Sequence, residues 1–146
     1  MPALYEHQGV RFYYPENWSL VDEELEAWPR SVTVQSAETS FFSLHVYPAG
    51  EEMGPIIDTV IDTIREVYPE LEILEAKENV GDVRAQGVDI CFFFLDLLVE
   101  AKIRAVQTPT YTLVWHYQAE SREFDQHELV FRAITTSLRG KLPGGQ

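Results

Sequence analysis

The chain has 146 residues, of which 45% are hydrophobic and 24% charged, and its 24 acidic side chains against 11 basic ones give a formal net charge of −13. That length and mixture suit one globular domain with a full core, and rule out disorder, a collagen-like repeat and a coiled coil. The polyanionic balance argues against nucleic-acid binding and against binding to anionic membrane surfaces, because both rely on clustered Lys and Arg.

Val10–Tyr14 reads as a short aromatic strand that stops at Pro15, with Pro15-Glu16-Asn17 as a tight turn and Trp18–Asp22 as a returning second strand. The following Asp22-Glu23-Glu24-Leu25-Glu26 is expected to be an acidic loop or one helical turn, closing at Trp28 before Pro29. Ser31–Ser36 and Phe41–Tyr47 alternate in polarity, and the polar stretch Ala37-Glu38-Thr39-Ser40 joins them as a hairpin loop. Gly54-Pro55 opens a helix, with Ile56, Ile57, Val60, Ile61, Ile64 and Val67 at helical spacing and Pro69 as its stop.

Leu71–Val80 reads as an extended, exposed segment, its glutamates Glu70, Glu72, Glu75 and Glu78 guarding a sheet edge. A turn at Asn79–Asp82 uses Gly81, which tolerates positive φ. Val83–Leu95 is the most hydrophobic strand. Its run Ile90-Cys91-Phe92-Phe93-Phe94-Leu95 is apolar on both alternating sides, so cover is expected above and below it. Val99–Thr108 alternates between a core face and a face carrying Glu100, Lys102 and Arg104, and Tyr111–Tyr117 is a further strand. The last helix is expected to start at Asp125, capped reciprocally with Glu128 and stapled by Phe124 and Leu129. It would carry Val130, Phe131, Ile134 and Leu138 inward and end at Arg139-Gly140. Residues 1–139 therefore form one α+β domain, and 140–146 a flexible C-terminal tail.

Three features together resemble the PsbP-like superfamily, which includes DcrB-type bacterial proteins and a Ran-binding nuclear-transport factor. They are Gly9–Trp18, with an aromatic strand, Pro15 and Trp18; a helix ahead of long meandering strands; and Tyr111–Ala119 leading through Phe124 to a closing helix. The resemblance implies an α/β/α sandwich, a central mainly antiparallel sheet with helices on both faces. It also implies a binding or assembly module without a shared catalytic constellation; relatives include photosystem extrinsic subunits and adaptor chaperones of type VI secretion effectors. The matching positions shape the fold, so no functional residue carries over.

Few residues carry a chemical signal of their own. The four histidines His7, His45, His116 and His127 form no metal-ligand spacing, although His45 and His116 lie on strands and could meet across a sheet as weak zinc candidates. Cys91 sits in an apolar run and reads as core packing, because a reactive thiol needs an electropositive, accessible setting. No hydrolase elbow, phosphate-binding glycine loop or dinucleotide fingerprint occurs. The expectation is a non-enzymatic module without a cofactor.

Asp22, Glu23, Glu24 and Glu26 beside Trp28 form the candidate partner-binding segment, an aromatic anchor with a charged rim. The partner would be a protein that is basic or exposes a hydrophobic helix, because residues 1–82 hold seventeen acids and four bases. Self-association as a homodimer, an adaptor role for a hydrophobic helix and small-ligand binding are the competing readings. A single cysteine and the opening Met-Pro-Ala-Leu-Tyr-Glu-His-Gln, without a basic-then-apolar leader, point to the cytoplasm.

Overall fold

The computed structural model describes residues 2–80 and 83–138, which form nine strands and two helices. The chain is α+β, built on a large antiparallel sheet. Strands β1 (Pro2–His7) and β2 (Val10–Pro15) make a separate hairpin, turned by Gln8 and Gly9 at positive φ. The large sheet takes β3 (Ser19–Glu24), β4 (Arg30–Gln35), β5 (Phe41–Pro48), β6 (Glu72–Val80), β7 (Val83–Phe94), β8 (Leu97–Gln107) and β9 (Tyr111–Glu120). Its spatial order is β3-β4-β5-β9-β8-β7-β6.

Helix α1 (Met53–Val67) buries Ile56, Ile57, Ile61 and Ile64, the stripe expected from their spacing. These four cluster with Val88, Ile90, Phe92, Ala101, Ile103 and Val114. Helix α2 (Ser121–Ser137) and the β1–β2 hairpin enter a second cluster with Phe42, Leu44, Leu113, Trp115 and Tyr117. Ring contacts extend through this core, with Tyr117 stacked on Phe131 at a centroid distance of 4.7 Å and Phe12 tilted against Phe42 at 5.4 Å.

Several expectations need correction. The first strand has a partner that sequence reading missed, β1, and Trp18–Asp22 does not return against it. The backbone instead bonds Trp18 N–H to the Pro15 carbonyl and continues as β3 alongside β4. Asp22, Glu23 and Glu24 are thus strand residues, not a loop or helical turn. Helix α2 begins four residues before Asp125, with Glu120 as its cap and the Glu120 carboxylate accepting the Arg122 N–H. Leu129 staples nothing, since it is 75% exposed.

The apolar run in β7 is not covered on both sides: Phe92 is buried, but Phe93 is 70% and Leu95 79% exposed. Cys91 is half-buried, not a core residue. The expected turn glycine Gly81, the helix stop at Arg139-Gly140 and the 140–146 tail lie outside the described residues. Among the described residues, no helix is long and apolar enough to cross a membrane.

Candidate functional site

The acidic segment lies along a free sheet edge. Strand β3 pairs with β4 alone, and every one of its residues is exposed, so Asp22, Glu23 and Glu24 line unpaired backbone and deter a further strand. Two of these acids are engaged: Glu23 accepts the Tyr5 hydroxyl, and Glu24 Oε1 accepts the Glu26 N–H at 2.9 Å. Trp28 is 48% exposed. The Arg30 guanidinium sits over its ring, 4.3 Å from the centroid, so a cation–π contact occupies one face. The structure thus joins Trp28 to Arg30 and leaves the carboxylates as an edge guard.

His45 on β5 and His116 on β9 are brought together. His116 pairs in register with Ser43, which makes the two histidines diagonal neighbours. His45 Nδ1 lies 3.2 Å from Ser31 Oγ, and His116 Nε2 lies 3.0 Å from Gln118 Oε1. Burial holds both imidazoles below their usual range, His116 to about 4, with His45 adding repulsion. Both are therefore neutral at pH 7. Among the described residues, no group of three or more His, Cys, Asp or Glu is placed to hold a metal, so the pair lacks further protein ligands of those types.

Sequence reading missed a dense polar knot at the start of α2. The Glu123 carboxylate accepts the Thr39 and Ser40 backbone N–H groups at 2.9 and 3.0 Å. It also accepts the hydroxyls of Ser36 at 3.0 Å, Thr39 at 2.7 Å and Ser40 at 2.6 Å. Desolvation alone would raise this carboxyl's pKa, and the Ser40, Thr39 and Ser36 bonds reverse that and hold it at about 2. His127 Nδ1 lies 2.8 Å from Ser40 Oγ, which assembles Ser, His and Glu in one place. This is not the relay of a hydrolase, because the carboxylate bonds the serine directly and Ser40 is 0% exposed. The Ser36–Ser40 polar turn was the only sequence hint of an anion acceptor nearby.

A second missed feature is Arg104. Expected on a charged rim, it is 3% exposed and bonds Glu78 at 2.5 Å, Asp89 at 2.7 Å and the Val88 and Ile103 carbonyls at 3.0 Å. Gly87 stands opposite it in the β7–β8 register, where a Cβ would come within 1.8 Å of the Ile103 carbonyl oxygen. Beside this cluster, under α2, a cleft of about 330 Å³ is lined by Glu78, Lys102, Tyr117, Phe124, Glu128 and Arg132, among others.

Beyond the N-terminus of α2, the sheet end formed by β6, β7 and β8 is open. A trough of about 660 Å³ runs over Glu72, Leu74, Asp89, Cys91, Glu100 and Lys102. Leu74 is 72% exposed, and the β7–β8 hairpin next to it ends in exposed Phe93, Phe94, Leu95 and Leu97. Its turn places Leu95 at φ 50° and Asp96 at φ 68°, a conformation a bulky side chain adopts at a cost of roughly 1–2 kcal/mol. The Cys91 thiol donates to Glu72 at 3.4 Å, and burial with the neighbouring Glu72 and Glu100 carboxylates pushes its pKa up, which disfavours the nucleophilic thiolate.

No family model matches the chain, and no curated protein matches it by sequence. Solved structures do. A cyanobacterial PsbP, CyanoP from Synechocystis sp. PCC 6803, superposes with a TM-score of 0.68 at 11% identity over 95% of this chain and 92% of that one. Protein PA94 from Pseudomonas aeruginosa, of unknown function, gives 0.53 at 12% identity over 93% and 94%. A Bacteroides thetaiotaomicron protein gives 0.61 at 10% identity over 94% of this chain, which spans 47% of that protein's length. The fold is PsbP-like, as the aromatic strand, Pro15 and Trp18 implied.

Proposed function

We propose that this chain is a non-enzymatic interaction module, which docks a protein partner on the open end of its sheet. The observation that carries this reading is the exposure of Phe93, Phe94, Leu95 and Leu97 at the end of the β7–β8 hairpin, with Leu74 exposed on the neighbouring strand β6. Monomeric proteins seldom expose a grouped set of large apolar side chains without a use for it. Glu72, Asp96 and Glu100 flank this surface, so the matching partner presents an apolar centre with Lys or Arg around it. A second copy would set these carboxylates against their equivalents, which makes a homodimer through the tip the weaker arrangement.

The layering is an α/β/α sandwich in this reading. Successive residues of a strand point to opposite faces, and Val114 clusters with α1 whereas Leu113 and Trp115 cluster with α2. The trough over Leu74 and Cys91 also supports a second reading, an adaptor that shelters a hydrophobic helix of a secreted effector. The lone, protonated thiol suits a cytoplasmic setting.

The test compares affinity capture by the full chain with capture by a Leu74→Ser/Phe93→Ser/Leu95→Ser variant of equal melting temperature. A stoichiometric partner held by the parent and lost by the variant is the expected result. Equal recovery on both baits refutes the assignment of this surface. If the retained partner is a chain with an apolar helix, and that helix alone competes it off, the adaptor reading is the correct version.

A further inference from the structure

We propose that an extended, basic segment of the partner adds to the sheet beside β6, antiparallel to it, as a further strand. This rests on the reading of the chain as an interaction module and names the form the partner takes. The large sheet has two free edges, and they are built differently. Strand β3 is six residues long, and its register with β4 shifts between Leu20 and Asp22. A short, bulged, acid-lined strand is a poor template for pairing. Strand β6 is nine residues long, contains no Pro, and keeps an unbroken register with β7 from Glu72 opposite Cys91 to Val80 opposite Val83. Its outer backbone groups pair with no strand among the described residues. A long, regular edge left open is the arrangement that accepts another strand.

The side chains of β6 sharpen this contrast. Glu78 bonds the buried Arg104, and Glu72 accepts the Cys91 thiol, so two of the glutamates expected to guard this edge turn along the sheet instead. Leu74 stands between them on the same face and is 72% exposed. Alternate residues of an added strand face opposite sides of the sheet, and a cleft lies on each side. The trough over Leu74, Cys91 and Glu100 is on the α2 side, because Leu74, Asp89 and Lys102 form one cross-strand row with Tyr117 of the α2 cluster. On the other side, a cleft of about 360 Å³ runs from Asp58 on α1 to Glu75 and Lys77 on β6.

The charges select the occupant. Glu72 and Glu100 leave the trough negative once Lys102 is set against Asp89, and Asp58 and Glu75 outnumber Lys77 in the cleft under α1. A second copy would bring the same surplus of acids, in a chain of net charge −13, so self-pairing along β6 is opposed. A basic strand is matched on both sides. Cross-strand pairs favour opposite charges and like polarity. In antiparallel register the fitting sequence therefore reads Glu-Val-Lys-Val-Ile-Arg, its residues opposite Lys77, Ala76, Glu75, Leu74, Ile73 and Glu72 in turn.

The probe is that hexapeptide, capped at both ends, titrated into the full chain and followed by hydrogen exchange. The expected result is saturable binding below about 1 mM, with slower exchange of alternate amides along β6 and no change in β3. Methylating one alternate set of peptide nitrogens should weaken binding about tenfold or more, and methylating the other set should not, because only one edge of a strand faces β6. Glu72→Lys/Glu75→Lys, at two exposed positions, should weaken the probe by a similar factor and favour a peptide with Glu in place of its Lys and Arg. Unchanged exchange in β6 overturns the proposal. So does equal binding of a peptide of the same composition in scrambled order, which would mean charge attraction without strand pairing. If β6 stays unprotected while a captured partner still depends on Leu74, Phe93 and Leu95, the strand assignment falls and the docking surface stands.

Discussion

Replacing Glu123 by Ala severs the joint between the β4–β5 turn and α2. Five hydrogen bonds converge on this carboxylate from Ser36, Thr39 and Ser40. Their combined preference for the charged form follows from the pKa. A fall from 4.5 to about 2 corresponds, at ~1.4 kcal/mol per pH unit, to about 3 kcal/mol of stability at pH 7. The side chain is 8% exposed, so water does little to screen this figure. The substitution also strands the Thr39 N–H, and weakens Ser40 N–H to a single 3.2 Å bond with Ser36.

The expected loss in urea unfolding at pH 7 is therefore about 3 kcal/mol, or roughly 10 °C in melting temperature for a chain of this size. Glu123→Gln should recover part of it, because the amide oxygen still accepts. The parent's contribution is present above pH 4.5 and fades as pH falls toward 2, so the difference between parent and variant should narrow in acid. A loss below about 1 kcal/mol, or a difference that does not change with pH, would show that the knot is ornamental.

Four other outcomes are expected. His116 is neutral in the fold down to about pH 4 but takes a proton near 6.5 when unfolded, so stability should fall by about 3 kcal/mol as pH drops from 6.5 to 4; His116→Gln should flatten that limb of a pH-dependent denaturation series. Gly87→Ala should cost about 3 kcal/mol or more by chemical denaturation, because its methyl meets the Ile103 backbone and not a movable side chain. Arg104→Leu should cost about 2–3 kcal/mol in the same assay, less than a fully buried pair, since Glu78 and Asp89 keep 38% and 39% exposure and can regain water. Leu95→Asn should raise the melting temperature, by about 1 kcal/mol in equilibrium terms, since Asn accepts the positive φ that Leu resists.

What sequence reading recovered and what it missed follow from the range of the forces involved. Helix α1 was legible because Ile56, Ile57, Ile61 and Ile64 repeat with the helical period and Pro69 ends them. The strands from Val32 to Val46 and from Val99 to Tyr117 were legible through alternation, which is also local. The start of α2 was misplaced because a capping pattern at Asp125 and Glu128 competed with the true cap at Glu120, and the contact that fixes Glu123 comes from a turn more than eighty residues earlier in the chain. Strand β1 carries no fully buried residue, so only its pairing with β2 reveals it.

Arg104 looked like a surface residue because its two carboxylates lie fifteen and twenty-six positions away. The apolar run from Ile90 to Leu95 misled in the other direction. Hydrophobicity records what a residue would gain from cover, and Phe93 and Leu95 do not receive it within the chain. The candidate segment from Asp22 to Trp28 was legible as acidic, but the exposure of Trp28 was not. Its strand pairing and the Arg30 contact were not foreseeable from composition.

The protruding greasy hairpin lies on a molecule that carries thirteen surplus negative charges. Copies approaching tip to tip must first cross their mutual repulsion, which reaches about 8 Å beyond the surface at physiological ionic strength. Molar salt shortens that reach to about 3 Å, less than the height of a phenylalanine ring above its strand. Colloidal behaviour should therefore invert the usual rule for globular proteins. Low-salt buffer keeps the chains dispersed, and added salt, by silencing the acids, lets the tips find one another.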